Sequence, residues 1–557
     1  VPAYPHKKNG FKAPLPWLAA VVVLAALVAL PVVVVAGNLL VPSGGIWTHL
    51  AETVLGSYIG NSIILMIGVG AGVALGGVGT AWLVTMCRFP FSRVLEWALL
   101  LPMAMPAYVV AYTYTGLLDY SGPVQGALRA LMGWTSARDY WFPEIRSLGG
   151  AVTVMVMVLY PYVYILARAA FLEQSVCVLE ASRTLGRGPW RAFSQVALPL
   201  ARPAVMAGIA LALMETLNDF GTVHYFAVDT FTTGIYRTWL GMGEPAVAAQ
   251  LGAVLMIFVA GLIALERWSR GGAKSHHTTS RYRRLPRIAL PGWRGGLALA
   301  FSLLPVLLGF VIPAAMLAWW TFQVGLAASF GGDFTRLAGN SLILALVAGL
   351  AAVAVAVVLA YAQRLHPRPL IRLAVRVASL GYAVPGSVIA VGIMVPLVAL
   401  DRSIARTIEG WTGASPGLLL TGTIFALIYA YLVRFLAVSA NTVEASLGKV
   451  TPSLEAAART LGCGTVSALR RVHLPIIKGS LLSAVLLVFV DVMKELPATL
   501  IMRPFNFDTL ATRTFTLASD ERLADAGAPA LAIVLVGLVP VLLLSRAIAK
   551  SRPGEPS

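Results

Sequence analysis

Charge is what this sequence has least of. Asp, Glu, Lys and Arg make up only 12% of its 557 residues, against about 25% in an average soluble domain. With 58% of the residues hydrophobic, so little charge cannot solvate an ordinary water-facing surface, and a soluble globular chain is excluded. Cysteine is nearly absent. Cys87, Cys177 and Cys463 form no CxxC pair, which supports neither a disulfide framework nor a zinc site. A phosphate-binding GxxxxGK[ST] loop is missing as well, since Gly448-Lys449 is followed by Val450, so the chain is not expected to hydrolyse ATP. HExxH and GxSxG are missing too. The seven histidines (His6, His49, His224, His276, His277, His366, His473) lie scattered without ligand spacing, which argues against a membrane-embedded enzyme.

What the sequence does have is long apolar runs, among them Trp17–Val35, Ala151–Leu159, Leu342–Ala360 and Ala530–Leu544, and a mean hydropathy of +0.81. Roughly 20 apolar residues cross about 30 Å of hydrocarbon as a helix. Helices are required because lipid offers the backbone no hydrogen-bond partner. The expected fold is therefore an all-α polytopic membrane protein. Twelve spans are expected, near 16–40, 60–85, 95–116, 149–170, 204–226, 247–266, 298–320, 338–362, 373–400, 418–440, 480–502 and 527–546. On this placement most of the 42 Lys and Arg fall on one side, the positive-inside pattern, which puts both termini in the cytoplasm. The net charge of +18 thus orients the chain, and no nucleic-acid partner is expected. His6, Lys7, Lys8 and Lys12 resemble the basic start of a signal peptide. The run that follows is too long and lacks a small-residue cleavage site, so it reads as a retained first span.

The two halves are copies. Asn61-Ser62 recurs as Asn340-Ser341, and Pro106 as Pro385, both at an offset of 279. Arg183-Thr184-Leu185-Gly186 recurs as Arg459-Thr460-Leu461-Gly462, and Leu198-Pro199 as Leu474-Pro475, both at an offset of 276. This divides the chain into a first repeat (1–270), a basic cytoplasmic linker (271–296) and a second repeat (297–557). With an even number of spans each, the repeats are parallel, related by an axis along the membrane normal. In the second span Gly68, Gly72 and Gly76 recur every four residues on one face, as close helix packing in lipid requires.

The connections between the fourth and fifth spans, 171–203 and 441–478, carry the mechanism. The first reads Leu179-Glu180-Ala181-Ser182-Arg183-Thr184-Leu185-Gly186, with Pro199 thirteen residues after the glycine. The second reads Leu454-Glu455-Ala456-Ala457-Ala458-Arg459-Thr460-Leu461-Gly462, with Pro475 at the same distance. Glu-Ala-Ala favours helix, and glycine ends a helix in a left-handed turn. A second short amphipathic helix is expected next, closed by Leu-Pro before the following span. The product is a helix–turn–helix able to dock into a groove on a soluble partner and act as a lever.

These loops resemble the Glu-Ala-Ala signature of the permeases of binding-protein-dependent ABC importers. In that family the loop docks on a separate ATPase. The resemblance carries over to Glu180, Ala181, Gly186 and Pro199, with Ser182 in place of the second alanine, and to Ala457, Gly462 and Pro475. Glu455 stands one position early, with Ala456 where the signature has glutamate. The resemblance implies the type I importer fold, two copies of a cytoplasmic ATPase holding ATP and Mg, no cofactor on this chain, and a periplasmic binding protein.

Two further segments are similar to the ferric iron permeases of that family: Glu215-Thr216-Leu217-Asn218-Asp219-Phe220-Gly221 and Asp491-Val492-Met493-Lys494-Glu495-Leu496-Pro497. Permeases for thiamine, polyamines, sulfate and phosphonates share much of this architecture. Glu215 with Asp219, and Asp491 with Glu495, are spaced four apart and are expected to share a helix face. Carboxylates within a span border a pathway or brace a helix end, and a trivalent cation prefers oxygen ligands. Lys494 and Arg503 offset part of that charge. Tyr108, Tyr112 and Tyr114 are either oxygen donors or interfacial aromatics. Asp520, Glu521 and Arg522 either meet the binding protein or are solvated. A secondary transporter would also show parallel halves but has no need of twin docking loops.

Overall fold

The computed structural model describes residues 15–173, 189–270, 287–366, 368–413 and 416–550. Among them, ten helices are long and apolar enough to cross a bilayer. In chain order they are the first span (Trp17–Leu40), second (Leu55–Met86), fourth (Leu148–Leu172), fifth (Trp190–Asn218) and sixth (Pro245–Ser269). The seventh (Trp293–Val324), eighth (Gly332–Leu365), ninth (Gly386–Thr412), tenth (Ile424–Leu447) and eleventh (Thr465–Met493) follow. A bent pair at the expected third span, Ser92–Ala104 and Ala107–Met132, brings the number to eleven, and at the expected twelfth stands a shorter apolar helix, Gly527–Leu543. The fold is all-α. The strand pairing among the described residues is a two-residue parallel match of Cys87–Arg88 with Ile288–Ala289.

Prolines reshape several expected spans. In place of a straight helix over 95–116, the third span turns by 92°. Proline pushes the residue before it out of the helical region. Met105 before Pro106 has φ −86°, ψ 125°, and Val384 before Pro385 has φ −83°, ψ 126°. The expected span at 373–400 likewise becomes a short helix, Pro369–Ala378, one turn at Gly381–Ala383, and a span that starts at Gly386.

Pro199 and Pro475 do the opposite. The expected short helix closed by Leu-Pro is instead continuous with the next span, as Trp190–Asn218 and Thr465–Met493, 29 residues each. Five-residue π turns, Phe193–Ala197 and Leu469–His473, directly precede Leu198-Pro199 and Leu474-Pro475. A proline in a helix lacks one N–H and its ring crowds the carbonyl four residues back. A local π turn widens the helix there and lets it continue.

The chain forms two compact units that cut across the repeats. One gathers 1–42, 243–253 and 339–508; the other gathers 43–242, 254–338 and 509–557. In the first unit, the first span lies against the ninth, where the Gly392 position has no room for a Cβ beside the Pro31 carbonyl. Trp17 meets Tyr361 edge-on at 5.8 Å, and Gln250 Nε2 donates to the Val41 carbonyl at 2.8 Å. In the second unit, the seventh span packs on the second to fourth. Tyr114 Oη donates to the Leu308 carbonyl at 2.7 Å. A Cβ on Gly309 would lie 2.6 Å from the Met157 carbonyl.

The glycine face of the second span meets the fourth. Val152, Val156 and Tyr160 fill the space beside Gly68, Gly72 and Gly76, and a Cβ on Gly72 would overlap Val156. The β-branched valine cannot swing aside without leaving its helical rotamer. Gly72→Ala should therefore destabilise the chain by about 1–3 kcal/mol through overpacking. Thermal unfolding in detergent reads this, and adding Val156→Ala should restore most of the loss. An unchanged transition in the single variant would refute the packing.

Candidate functional site

The backbone of the second of the two loops expected to dock, 441–478, is described throughout. The tenth span ends at Leu447, and the helix Pro452–Thr460 carries Glu455, Ala456 and Ala457. It stops where the sequence expects, with Gly462 at φ +79° and the Cys463 amide donating back to the Ala458 carbonyl at 3.0 Å. Leu454 and Leu461 are exposed beside it. Glu455 faces inward. Its side chain is 14% exposed and its Oε2 lies 3.4 Å from Arg364 Nε at the end of the eighth span. The same guanidinium donates to the Leu447 and Val450 carbonyls, the latter at 2.7 Å. Arg364 thereby fastens the loop at three points.

Of the first loop, Pro199 is described, while Glu180, Ala181 and Gly186 lie outside the described residues. Both loops nevertheless run into helices seated on an aromatic side chain at equivalent positions. Trp82 of the second span lies 4.7 Å from Phe193 and 5.5 Å from Phe171. Tyr361, its counterpart in the second repeat, donates its hydroxyl to the Thr465 carbonyl at 3.0 Å and packs 5.1 Å from His473.

The four carboxylates are not arranged as two helical faces. The fifth span ends at Asn218 and the eleventh at Met493, so Asp219 and Glu495 lie beyond the helices that carry Glu215 and Asp491. Both turn to cap the next short helix. Asp219 accepts from the amides of Thr222 (3.0 Å) and Val223 (3.1 Å) and from the Thr222 hydroxyl (2.9 Å). Glu495 accepts from the amides of Ala498 (3.0 Å) and Thr499 (3.1 Å) and from the Thr499 hydroxyl (2.6 Å). A carboxylate at this place satisfies amides that have no partner within the helix. Glu495, 1% exposed, also lies 3.5 Å from Arg434. Asp491 pairs with Lys494 at 3.1 Å, and Arg503 pairs with Asp508. Glu215 lies half-buried in the last turn of the fifth span. Among the described residues no group of three His, Cys, Asp or Glu side chains is placed to hold a metal ion. Tyr114 is a structural donor, and Tyr112 is buried between Tyr225 and Trp320.

Several structural partnerships escaped the sequence reading. Asn61 Nδ2 donates to the Asp229 carbonyl at 2.8 Å, and Asn340 Nδ2 to the Asp508 carbonyl at 3.0 Å, so each repeat ties its second span to the loop after its fifth. Capping boxes follow at Thr230 with Thr233 and at Thr509 with Thr512. The shared offset of 279 between Asp229 and Asp508 was the available signal. Glu96 joins Arg168 (3.1 Å) at the end of the fourth span to Arg287 (2.8 Å) in the linker. Glu521 pairs with Arg146 at 2.8 Å, and Arg522 with Asp525 at 2.8 Å.

In both repeats a continuous helix leads from the loop to a capped break. Residues 68–266 match the binding-protein-dependent transport system inner membrane component family. The chain is 27% identical to the Fe(3+)-transport system permease protein FbpB 2 of Haemophilus influenzae over 493 residues, 88% of this chain and 89% of that protein. It is 27% identical over 198 residues to the molybdenum transport system permease protein ModB of Escherichia coli, 34% of this chain and 83% of that protein. Residues 68–266 thus carry the domain of an inner-membrane transport component, and across both repeats this multi-spanning chain is similar to the fused permeases of ABC importers.

Arg364 sets a testable link between fold and coupling. Removing one partner of a part-buried charged pair costs about 1–3 kcal/mol. Arg364→Ala and Glu455→Ala should each lower thermal stability and reduce ATP-driven uptake. The charge-swapped Arg364→Glu/Glu455→Arg chain should recover part of both. Equal defects in the swapped and single variants would remove the pair from the coupling mechanism.

Proposed function

We propose that this permease imports ferric iron. A periplasmic binding protein delivers the iron, and two copies of a cytoplasmic ATPase drive transport, one seated on each loop (171–203 and 441–478). The observation that carries the ion is the similarity to an Fe(3+) permease across both repeats, 493 residues, where the molybdenum permease matches 198. The acidic segments after each loop add to it, because a hard cation favours a route bordered by carboxylates. On this reading Asp219 and Glu495 hold the short helices that shape the route, and Glu215 and Asp491 border it. The chain itself holds no cofactor; ATP and Mg belong to the partner ATPase. The similarity to the molybdenum permease supports a second reading, an oxyanion importer.

Uptake by proteoliposomes holding permease, ATPase and binding protein decides between them. Radioactive iron should accumulate with ATP and molybdate should not compete. Glu215→Gln with Asp491→Asn should lower the iron rate several-fold while the ATPase still co-purifies. Iron uptake unchanged in that variant would overturn the route, and molybdate accumulation would overturn the ion.

Orientation follows from the basic side being cytoplasmic. Cys463, part-exposed on the second loop, reports it. In a Cys87→Ser/Cys177→Ser chain, a membrane-impermeant maleimide should label Cys463 in inside-out vesicles. Labelling in intact spheroplasts would reverse the topology.

A further inference from the structure

The helix Pro369–Ala378 begins shortly after the eighth span ends at Leu365. Ile371, Ala374, Val375 and Ala378 are buried, and the helix packs against the first span. The rest of its surface is divided. Arg368, Arg372 and Arg376 recur every four residues along one flank, all exposed, and no carboxylate pairs with them among the described residues. Leu370 and Leu373, 54% and 59% exposed, occupy the next flank. At about 100° per residue the arginine stripe and the leucine stripe lie well over 90° apart, on either side of the outermost point. A solvated helix has no reason to expose two leucines beside an unpaired cationic row. A helix lying in the plane of a membrane surface does, with leucines toward acyl chains and arginines toward headgroups.

The first repeat keeps the exposed apolar flank but only one of the three arginines, with Phe89 in place of Arg368. In Ser92–Ala98 and the residue before it, Phe91, Arg93 and Val94 are exposed, at the positions equivalent to Leu370, Arg372 and Leu373. Trp97, exposed, stands where the second repeat has Arg376, and tryptophan is the residue favoured at a membrane interface.

We propose that Pro369–Ala378 is a binding surface for anionic phospholipid, with headgroup phosphates on Arg368, Arg372 and Arg376 and acyl chains over Leu370 and Leu373. It rests on the orientation given above, which turns these arginines to the anionic cytoplasmic leaflet. The surface begins one helical turn's length of chain beyond Arg364, which holds the second docking loop, so lipid occupancy bears on how firmly that loop is presented.

The test uses the assembled permease and ATPase in nanodiscs of phosphatidylcholine containing a minor fraction of phosphatidylglycerol. Native mass spectrometry reads the phosphatidylglycerol retained per permease. Wild type should retain it above its bulk fraction. Each Arg→Gln change at 368, 372 and 376 should weaken retention about fivefold, and Arg→Lys changes should keep most of it. Arg402→Gln with Arg406→Gln, exposed arginines on the ninth span, should have no effect. Undiminished retention in the triple glutamine variant overturns the surface. So does a triple variant that loses ATPase affinity in lipid-free detergent, which would assign the arginines to the ATPase. Inorganic phosphate displacing the lipid at millimolar concentration would reduce the surface to a simple anion site and overturn the lipid assignment. Nanodiscs present both leaflets, so these outcomes stand whatever Cys463 labelling says of orientation.

Discussion

A helix that restarts in apolar surroundings begins with amides that must find an acceptor, because nothing outside the chain will provide one. The fifth and eleventh spans stop at Asn218 and Met493, and the residues that follow restart at once as short helices. Asp219 and Glu495 make both breaks tolerable by accepting two backbone amides each. The Thr232 hydroxyl adds a bond to the Asp219 carbonyl at 2.7 Å, and Asn61 and Asn340 hold the returning loops to the second span of their own repeat. The break is therefore a fixed joint between span, short helix and loop.

That joint terminates a lever. The helix that begins in the docking loop and ends at the carboxylate segment is 29 residues long in each repeat, about 43 Å at 1.5 Å per residue. The helix runs on through the π turns that precede Pro199 and Pro475. One helix thus joins each loop to the segment where the transported solute is proposed to pass. Trp82 and Tyr361 support the lever near its loop end, and Arg364 fastens the second loop to the eighth span.

Much of this was legible in the sequence, for identifiable reasons. Apolar runs mark spans because lipid imposes helix on any crossing segment, and the 279 and 276 offsets mark the repeat because shared geometry preserves Asn, Gly and Pro at the same joints. Gly462 was legible as a helix stop because a left-handed turn favours glycine. Pro199 was misleading: proline usually ends a helix, and only the three-dimensional path shows a π turn absorbing it. The four-residue spacing of Glu215 and Asp219 misled likewise, since a spacing implies a shared face only while the helix continues. Partners such as Arg364 for Glu455 and Arg434 for Glu495 lie far apart along the chain, and hydropathy gives no information on which helices meet. For the same reason the compact units, which place the first span with residues 339–508, could not be read from the repeat boundaries.

Fusion of the repeats into one chain lets equivalent joints differ. Glu495 faces Arg434 at 3.5 Å, whereas no cation pairs with Asp219 among the described residues. Asp491 is likewise matched by Lys494, while Asn218 stands at the same offset from that lysine. The second acidic segment is close to neutral within its own unit; in the first, Asp219 is held by amides and a hydroxyl alone. A pair of identical subunits could not hold such a difference, because any substitution would appear twice. The two caps thus do the same backbone work in different electrostatic settings, Glu495 beside a guanidinium and Asp219 with no cation paired to it among the described residues.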